Sequence, residues 1–270
     1  MIKQPKALAM YRLFIYLLLI QGTLHAQDSF NWPEGKEMAL SLTWDDARPS
    51  QVQIGTDILN QYGTKATFYV LPGPVYDELS GWKKAVKTGH EIGNHTYNHP
   101  CSGNFLWARK NALEGYSLSK MEMELESSNE KLFQMLGVKI EQFAYPCGQT
   151  FIKRGTETQS YVPLIAENFQ SGRTWQDEFP NDPGYVDLAQ ITGIEMDNKS
   201  FKDILAIVES AREDGMWLVL GGHEINKKGP QTTETKMLKK LLKYLKENQE
   251  IWVAPVGEIV QYVRENRELK

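Results

Sequence analysis

The chain has 270 residues, 41% of them hydrophobic, with 30 Lys and Arg against 34 Asp and Glu and only two cysteines. The resulting net charge of −4 argues against nucleic acid or an anionic surface as a partner, because both are held by cationic patches. No linker or repeat divides the chain, so one large core is expected.

Taken from the N-terminus, Lys3, Lys6 and Arg12 precede the apolar run Leu13 to Ile20, which is too short to cross a bilayer as a stable helix. With Ala26 before Gln27 as a cut, residues 1–26 read as a secretory signal peptide and 27–270 as the mature domain. Leu24 is larger than a cleavage site prefers, which leaves the exact bond open. No cysteine follows closely enough for a lipid anchor, and no second long apolar stretch exists. The expectation is therefore an exported protein, periplasmic or secreted, without stable membrane insertion. Removing three cations and no acids takes the balance to 27 against 34, or −7. His25 leaves with the signal.

Beyond the leader, strand-like and helical patterns alternate. The apolar run from Met38 to Thr43 reads as a buried strand ending on the pair Asp45-Asp46. Further strands are expected at 65–71, 91–94, 139–145, 217–220 and 251–254, and helices at 50–62, 79–87, 118–136, 200–214, 233–248 and 256–268. Short β-branched or aromatic strands followed by longer amphipathic helices indicate parallel βα units. Met121, Leu125, Leu132 and Met135 or Leu136 in the 118–136 helix form a core-packing stripe.

Two segments carry chemistry. His95-Thr96-Tyr97-Asn98-His99 places two imidazoles four residues apart, on one face if the backbone is helical, and Pro100 then confines them to about a single turn. Two neighbours on a strand point to opposite faces, so Asp45 and Asp46 share a pocket only where the strand ends and the chain turns. One Asp and two His make an open metal site with room for water and substrate. Either segment alone has a plainer reading, a chance HxxxH or two solvated acids, and it is their combination that points to a hydrolase.

These residues resemble the polysaccharide deacetylases with NodB homology, carbohydrate esterase family 4. Thr43-Trp44-Asp45-Asp46 is similar to the first family motif and His95 to His99 matches the second. Phe143-Ala144-Tyr145-Pro146-Cys147-Gly148 resembles the third, and Leu220-Gly221-Gly222-His223 the last. The resemblance implies a single-domain α/β fold, a distorted (β/α) barrel with fewer strands than the usual eight and catalytic loops at the strand C-terminal ends. It implies Asp46, His95 and His99 as metal ligands, Asp45 as general base and His223 as general acid. The ion would polarise an acetyl carbonyl and acidify water, Asp45 would take the proton, and the ion with the Cys147 N–H would steady the oxyanion. Zinc is the first expectation, and cobalt, nickel or manganese also suit the ligand set.

The third motif departs from the family by lacking an Arg that orients the base. Arg173 is the candidate to replace it, against the plain reading of a surface charge. The Asp that supports the acid histidine is not recognisable, with Asp177 and Asp182 candidates only by their place in the chain. Tyr145 and Trp175 are grouped with the substrate and oxyanion residues. Trp107 and Trp175 could stack on sugar rings or be buried under a loop. Trp44 should pack beside the site, and His90 should serve structure. Gly221-Gly222 suggests a close approach of backbone to something else. Cys101 and Cys147 both lie near the site, and in an oxidising compartment could be bridged if their Cα atoms lie within about 7 Å.

The reading is a metal-dependent deacetylase of N-acetyl or O-acetyl groups on a polysaccharide or oligosaccharide. The alternatives are a hydrolase of non-sugar amides and an inactive carbohydrate-binding barrel.

Overall fold

The computed structural model describes residues 30–267. The signal peptide expected over 1–26 lies outside the described residues. In chain order the elements are β1 (Met38–Asp45), α1 (Thr56–Gln61), β2 (Thr67–Val70), α2 (Pro72–Asp77), α3 (Leu79–Lys87), β3 (Glu91–Asn94), α4 (Leu118–Leu136) and β4 (Gln142–Ala144). There follow β5 (Phe151–Ile152), β6 (Gln159–Ser160), α5 (Val162–Asn168), β7 (Ser171–Arg173), β8 (Ile194–Glu195), α6 (Phe201–Glu213), β9 (Trp217–Gly222), β10 (Glu224–Asn226), β11 (Thr232–Glu234), α7 (Thr235–Glu247), β12 (Ile251–Val253) and α8 (Val256–Asn266).

The main sheet is parallel and runs β7-β4-β3-β2-β1-β9-β8, with β12 beside the first half of β1. A parallel bridge from Arg173 to Ile191 brings the chain just before β8 against β7, so the ends of the sheet meet. This is the distorted single-domain (β/α) barrel. β1 is buried along its whole length, as a strand covered on both faces must be. One core cluster holds Leu40, Leu42, Phe68, Leu218 and Leu220 with the apolar stripes of α4, α6 and α7, including Met121, Leu125, Ile204, Val208, Leu238 and Leu241.

The helices expected at 79–87 and 118–136 appear with those bounds. α4 starts where the Ser117 hydroxyl accepts from the Lys120 N–H and stops at Gly137, whose φ of 71° caps the last turn. The segment expected as one helix over 50–62 is two pieces, a π-turn at Gln51–Gly55 followed by α1. α2, α5, β7 and β8 carry no period long enough to be read from sequence.

Candidate active site

The chain leaves β1 through two residues in the left-handed region, Asp46 (φ 72°) and Ala47 (φ 52°). That turn lets both acids face one cavity of about 770 Å³, which is also lined by Arg48, His95, His99, Phe105, Trp107, Cys147, Trp175 and His223.

His95 to His99 is not a helical turn. No helix is present there, and Thr96 (φ 66°) and His99 (φ 50°) are left-handed, so the rings converge through an irregular loop rather than by the i, i+4 rule. Glu124, buried on α4, shapes that loop by accepting from the N–H groups of Tyr97 (3.1 Å) and Asn98 (2.8 Å) and from the Asn98 side chain (2.8 Å). Tyr116 Oη also donates to it at 2.9 Å.

The two Nε2 atoms lie 3.1 Å apart, and Asp46 Oδ1 lies 3.5 Å from His95 Nε2 and 3.3 Å from His99 Nε2. Ligands at zinc distances round a tetrahedral ion are separated by about 3.3–3.6 Å, so the three atoms fit one ion. His95 Nδ1 faces the Ala144 carbonyl at 2.9 Å. A carbonyl only accepts, so Nδ1 carries the hydrogen and Nε2 keeps its lone pair for a metal. Arg48 donates to Asp46 Oδ2 through Nε (3.2 Å) and Nη2 (2.9 Å), leaving Oδ1 turned to the histidines. Burial pushes the Asp46 carboxyl up, but its hydrogen bond to His95 and the charges of His95, His99 and His223 outweigh this and hold it well below the usual carboxylate range. Burial, with the charge of His95, pushes His99 down to about 4 against the opposing pull of Asp46 and Asp45. Both shifts favour the ligand forms, an ionised carboxylate and a neutral imidazole.

Asp45 is buried, and Arg173 Nη2 lies 2.5 Å from each of its carboxylate oxygens. The guanidinium is itself buried between the Tyr69 and Trp175 rings, 5.0 and 5.2 Å from their centroids, and Nη1 donates to the Thr174 carbonyl at 2.8 Å. The surface-charge reading of Arg173 is therefore overturned.

The histidine support is Asp197, which the sequence reading missed. Its Oδ2 lies 2.8 Å from His223 Nδ1 and 3.0 Å from the His223 N–H, and its Oδ1 accepts from Thr233 Oγ1 at 2.8 Å. Asp177 instead accepts from Thr174 Oγ1 and the Gly193 N–H, and Asp182 accepts from the Gly184 N–H. Burial would pull His223 down, but the hydrogen bond to Asp197 and the charges of Asp45, Asp46 and Asp197 raise it above the ordinary imidazole value. A Cβ on Gly221 would come within 2.3 Å of the Trp175 ring, and one on Gly222 within 2.7 Å of Asp197 Oδ1, which is the close approach expected of this pair.

Trp175 meets the His223 ring edge-on at 4.9 Å and lines the cavity. Trp107 is 62% exposed, 5.7 Å from the His99 ring. Tyr145 is a correction. Its phenol is buried and donates to the Ala189 carbonyl at 2.7 Å, and its N–H donates to the Arg173 carbonyl at 2.9 Å, so it has no group free for substrate and belongs to the core. Trp44 is buried against Phe68 with Nε1 on Thr233 Oγ1. His90 accepts from the Ala66 N–H at 3.3 Å. Cys101 and Cys147 form a disulfide with Cα atoms 6.0 Å apart, joining the histidine loop to the third-motif loop and taking both sulfurs out of any ligand set.

A family model described as polysaccharide deacetylase matches residues 33–160. Over that segment, just under half of its length, the chain is similar to the polysaccharide deacetylase family. It is 33% identical over 89 residues to a Bacillus cereus peptidoglycan-N-acetylglucosamine deacetylase, covering 32% of this chain and 42% of the relative. It is also 36% identical over 91 residues to the uncharacterized Bacillus subtilis protein YlxY, covering 34% of this chain and 25% of the relative. A gellan lyase from Bacillus sp. aligns over 252 residues at 25% identity, 86% of this chain but 10% of the relative. The chain thus spans less than half the length of each of these relatives. In fold it is similar to a Mycobacterium smegmatis protein assigned to the polysaccharide deacetylases, with a TM-score of 0.67, 18% identity and coverage of 90% of this chain and 96% of that one. The family esterase domain of a multidomain xylanase from a Trinervitermes trinervoides hindgut metagenome gives a TM-score of 0.56 at 21% identity, covering 87% and 96%.

Proposed function

We propose that this chain is an exported, metal-dependent deacetylase that hydrolyses acetyl groups of a polysaccharide, with Asp46, His95 and His99 as ligands, Asp45 as base and His223 as acid. The observation that carries the reading is the convergence of these five side chains on one cavity, with Arg173 behind Asp45 and Asp197 behind His223. A purely binding barrel has no use for a backed base and a backed acid across the same space. Export rests on the leader sequence. The Bacillus cereus relative makes N-acetylglucosamine of peptidoglycan the first substrate to try, and acetylxylan the second.

A divalent ion held by the three ligands, zinc first, would supply Lewis-acid polarisation of the acetyl carbonyl and lower the pKa of a nearby water. Arg173 fixes the Asp45 carboxylate by one nitrogen shared between both oxygens, so each oxygen keeps lone pairs for a proton. Asp45 takes the proton of the attacking water. His223, with Nδ1 tied to Asp197, presents Nε2 to the cavity and gives its proton to the departing nitrogen or oxygen of the sugar, and acetate is released. Cys147 lines the cavity as its N–H oxyanion role requires. Trp175 holds the acid ring edge-on, and Trp107 offers an exposed face to a sugar ring.

The test is acetate release by the mature chain, metal-free and reconstituted, on N-acetylated chitooligosaccharides, peptidoglycan and acetylxylan. Asp46→Ala and His95→Ala should lose both zinc binding by calorimetry and turnover, whereas Asp45→Asn should keep zinc and lose turnover. Equal loss of zinc in all three would refute the division of roles.

A further inference from the structure

Gln51 is fully buried, and its side-chain Nε2 donates to two backbone carbonyls, Asp45 at 2.6 Å and His223 at 2.8 Å. These are the carbonyls of the proposed base and acid. β1 and β9 pair as far as Trp44 opposite Gly222, and the next residues are Asp45, the last of β1, and His223, the first beyond β9. There the ladder stops, because the chain turns away through Asp46 and Ala47. Two buried carbonyls at the open end of a ladder need donors, and both hydrogens of one amide go to them.

The orientation of that amide is fixed, since the reverse flip would set its oxygen against two carbonyl oxygens. Its Oε1 is buried with no partner among the described residues. An unpaired buried acceptor is unfavourable, so packing alone would be better served by Met or Leu, and the two donors are the property that this position uses. The neighbouring contacts act in the same sense. Ser50 Oγ bonds the Glu224 carboxylate and accepts from the Ile225 N–H at 3.0 Å. A Cβ on Gly55 would lie 2.2 Å from Ile225 Cδ1. The π-turn that begins at Gln51, a geometry found often at functional sites, is thereby stapled along the segment that carries His223.

We infer that Gln51 is a positioning residue that sets the spacing of Asp45 and His223 by locking their carbonyls at the open end of the β1–β9 ladder. The inference rests on the base and acid roles proposed above. Gln51→Met keeps the volume and removes both donors. Gln51→Glu keeps the shape and replaces donors by acceptors.

Both variants are made in the full mature chain loaded with Zn²⁺ and assayed on whichever acetylated glycan the unaltered protein turns over. Gln51→Met should lower kcat at least tenfold while KM and the Zn²⁺ affinity measured by calorimetry stay within about twofold. Gln51→Glu should lose at least as much, with a deficit that deepens as pH rises and an ionised carboxylate faces the two carbonyls. That pH signature is one that a packing role does not produce, and it carries the test if the Met variant does not fold. Unchanged kcat in either folded variant, or a loss that tracks Zn²⁺ affinity, overturns the inference, as does failure of both variants to fold. An unaltered protein that releases no acetate from chitooligosaccharide, peptidoglycan or acetylxylan overturns the base and acid reading itself, a result distinct from an active protein indifferent to Gln51.

Discussion

Asp197→Asn isolates the charge behind His223, the proposed acid. The substitution keeps size and one acceptor oxygen, which can still take the His223 Nδ1–H and N–H now held at 2.8 and 3.0 Å. The new amide hydrogens then face Thr233 Oγ1, which has lone pairs to receive them, so the fold should survive. What is lost is the charge assistance to a protonated imidazole. Hydrogen bonds to charged groups contribute about 1.5–3 kcal/mol, and at about 1.4 kcal/mol per pKa unit His223 should titrate about 1–2 units lower. The assay is kcat/KM for acetate release between pH 5 and 10. The acid limb should stay in place while the alkaline limb moves down by about 1–2 units, giving a 10- to 100-fold loss above both limbs and little loss below them. An alkaline limb that does not move would refute the claim that Asp197 keeps His223 protonated. Stability gives an independent reading. His223 is raised on folding, so its contribution is fully present below about pH 6.5 and is lost as pH rises through the folded value. The stability gap between the unaltered chain and Asp197→Asn should therefore be widest below that pH and close above it.

Three further outcomes are expected. Arg173→Met strands a buried carboxylate and should lower unfolding free energy by about 3–5 kcal/mol, with partial recovery in the Asp45→Asn/Arg173→Met double variant. Additive losses in denaturant melts would show that the two do not act as a pair. Breaking the Cys101–Cys147 bridge, which spans 46 residues, by Cys→Ala substitution at both positions should destabilise the chain by up to about 4 kcal/mol on the loop-entropy account. Urea midpoints that coincide with the unaltered protein would contradict that. Trp107→Ala, at an exposed position, should change stability by no more than about 0.5 kcal/mol while raising KM for oligosaccharides about 3- to 10-fold. An unchanged KM would remove Trp107 from the sugar subsite.

Legibility in the sequence followed the length of the signal. α3 and α4 were readable to the residue because the amphipathic period lies within each element, and α4 is also flanked by its caps Ser117 and Gly137. The acid pair was legible as a site because a strand end is the one place where neighbouring side chains can face the same way. The histidine loop was legible as a pair of imidazoles that could converge but not as a backbone, since its shape comes from Glu124, about 25 residues on, and from two left-handed residues. Arg173 could be suspected from the missing third-motif cation, although its strand is three residues long. Asp197 follows a two-residue strand in no recognisable motif, and only the tertiary fold brings it beneath His223. Tyr145 was misplaced because a motif position does not say which way a side chain points.

The meeting of β7 with the chain before β8 has a kinetic consequence. Arg173 sits at the end of β7, four places along the sheet from β1, and reaches Asp45 across a separation of 128 residues. Contacts this distant in sequence form late, after their loop-closure entropy has been met. On the proposed ligand set, a chain that had assembled β1 to β4 with Asp46, His95 and His99, but not yet brought its sheet ends together, would bind zinc while leaving Asp45 unoriented. During refolding, metal uptake should therefore precede the return of turnover, and the interval between them would time the closing of the barrel.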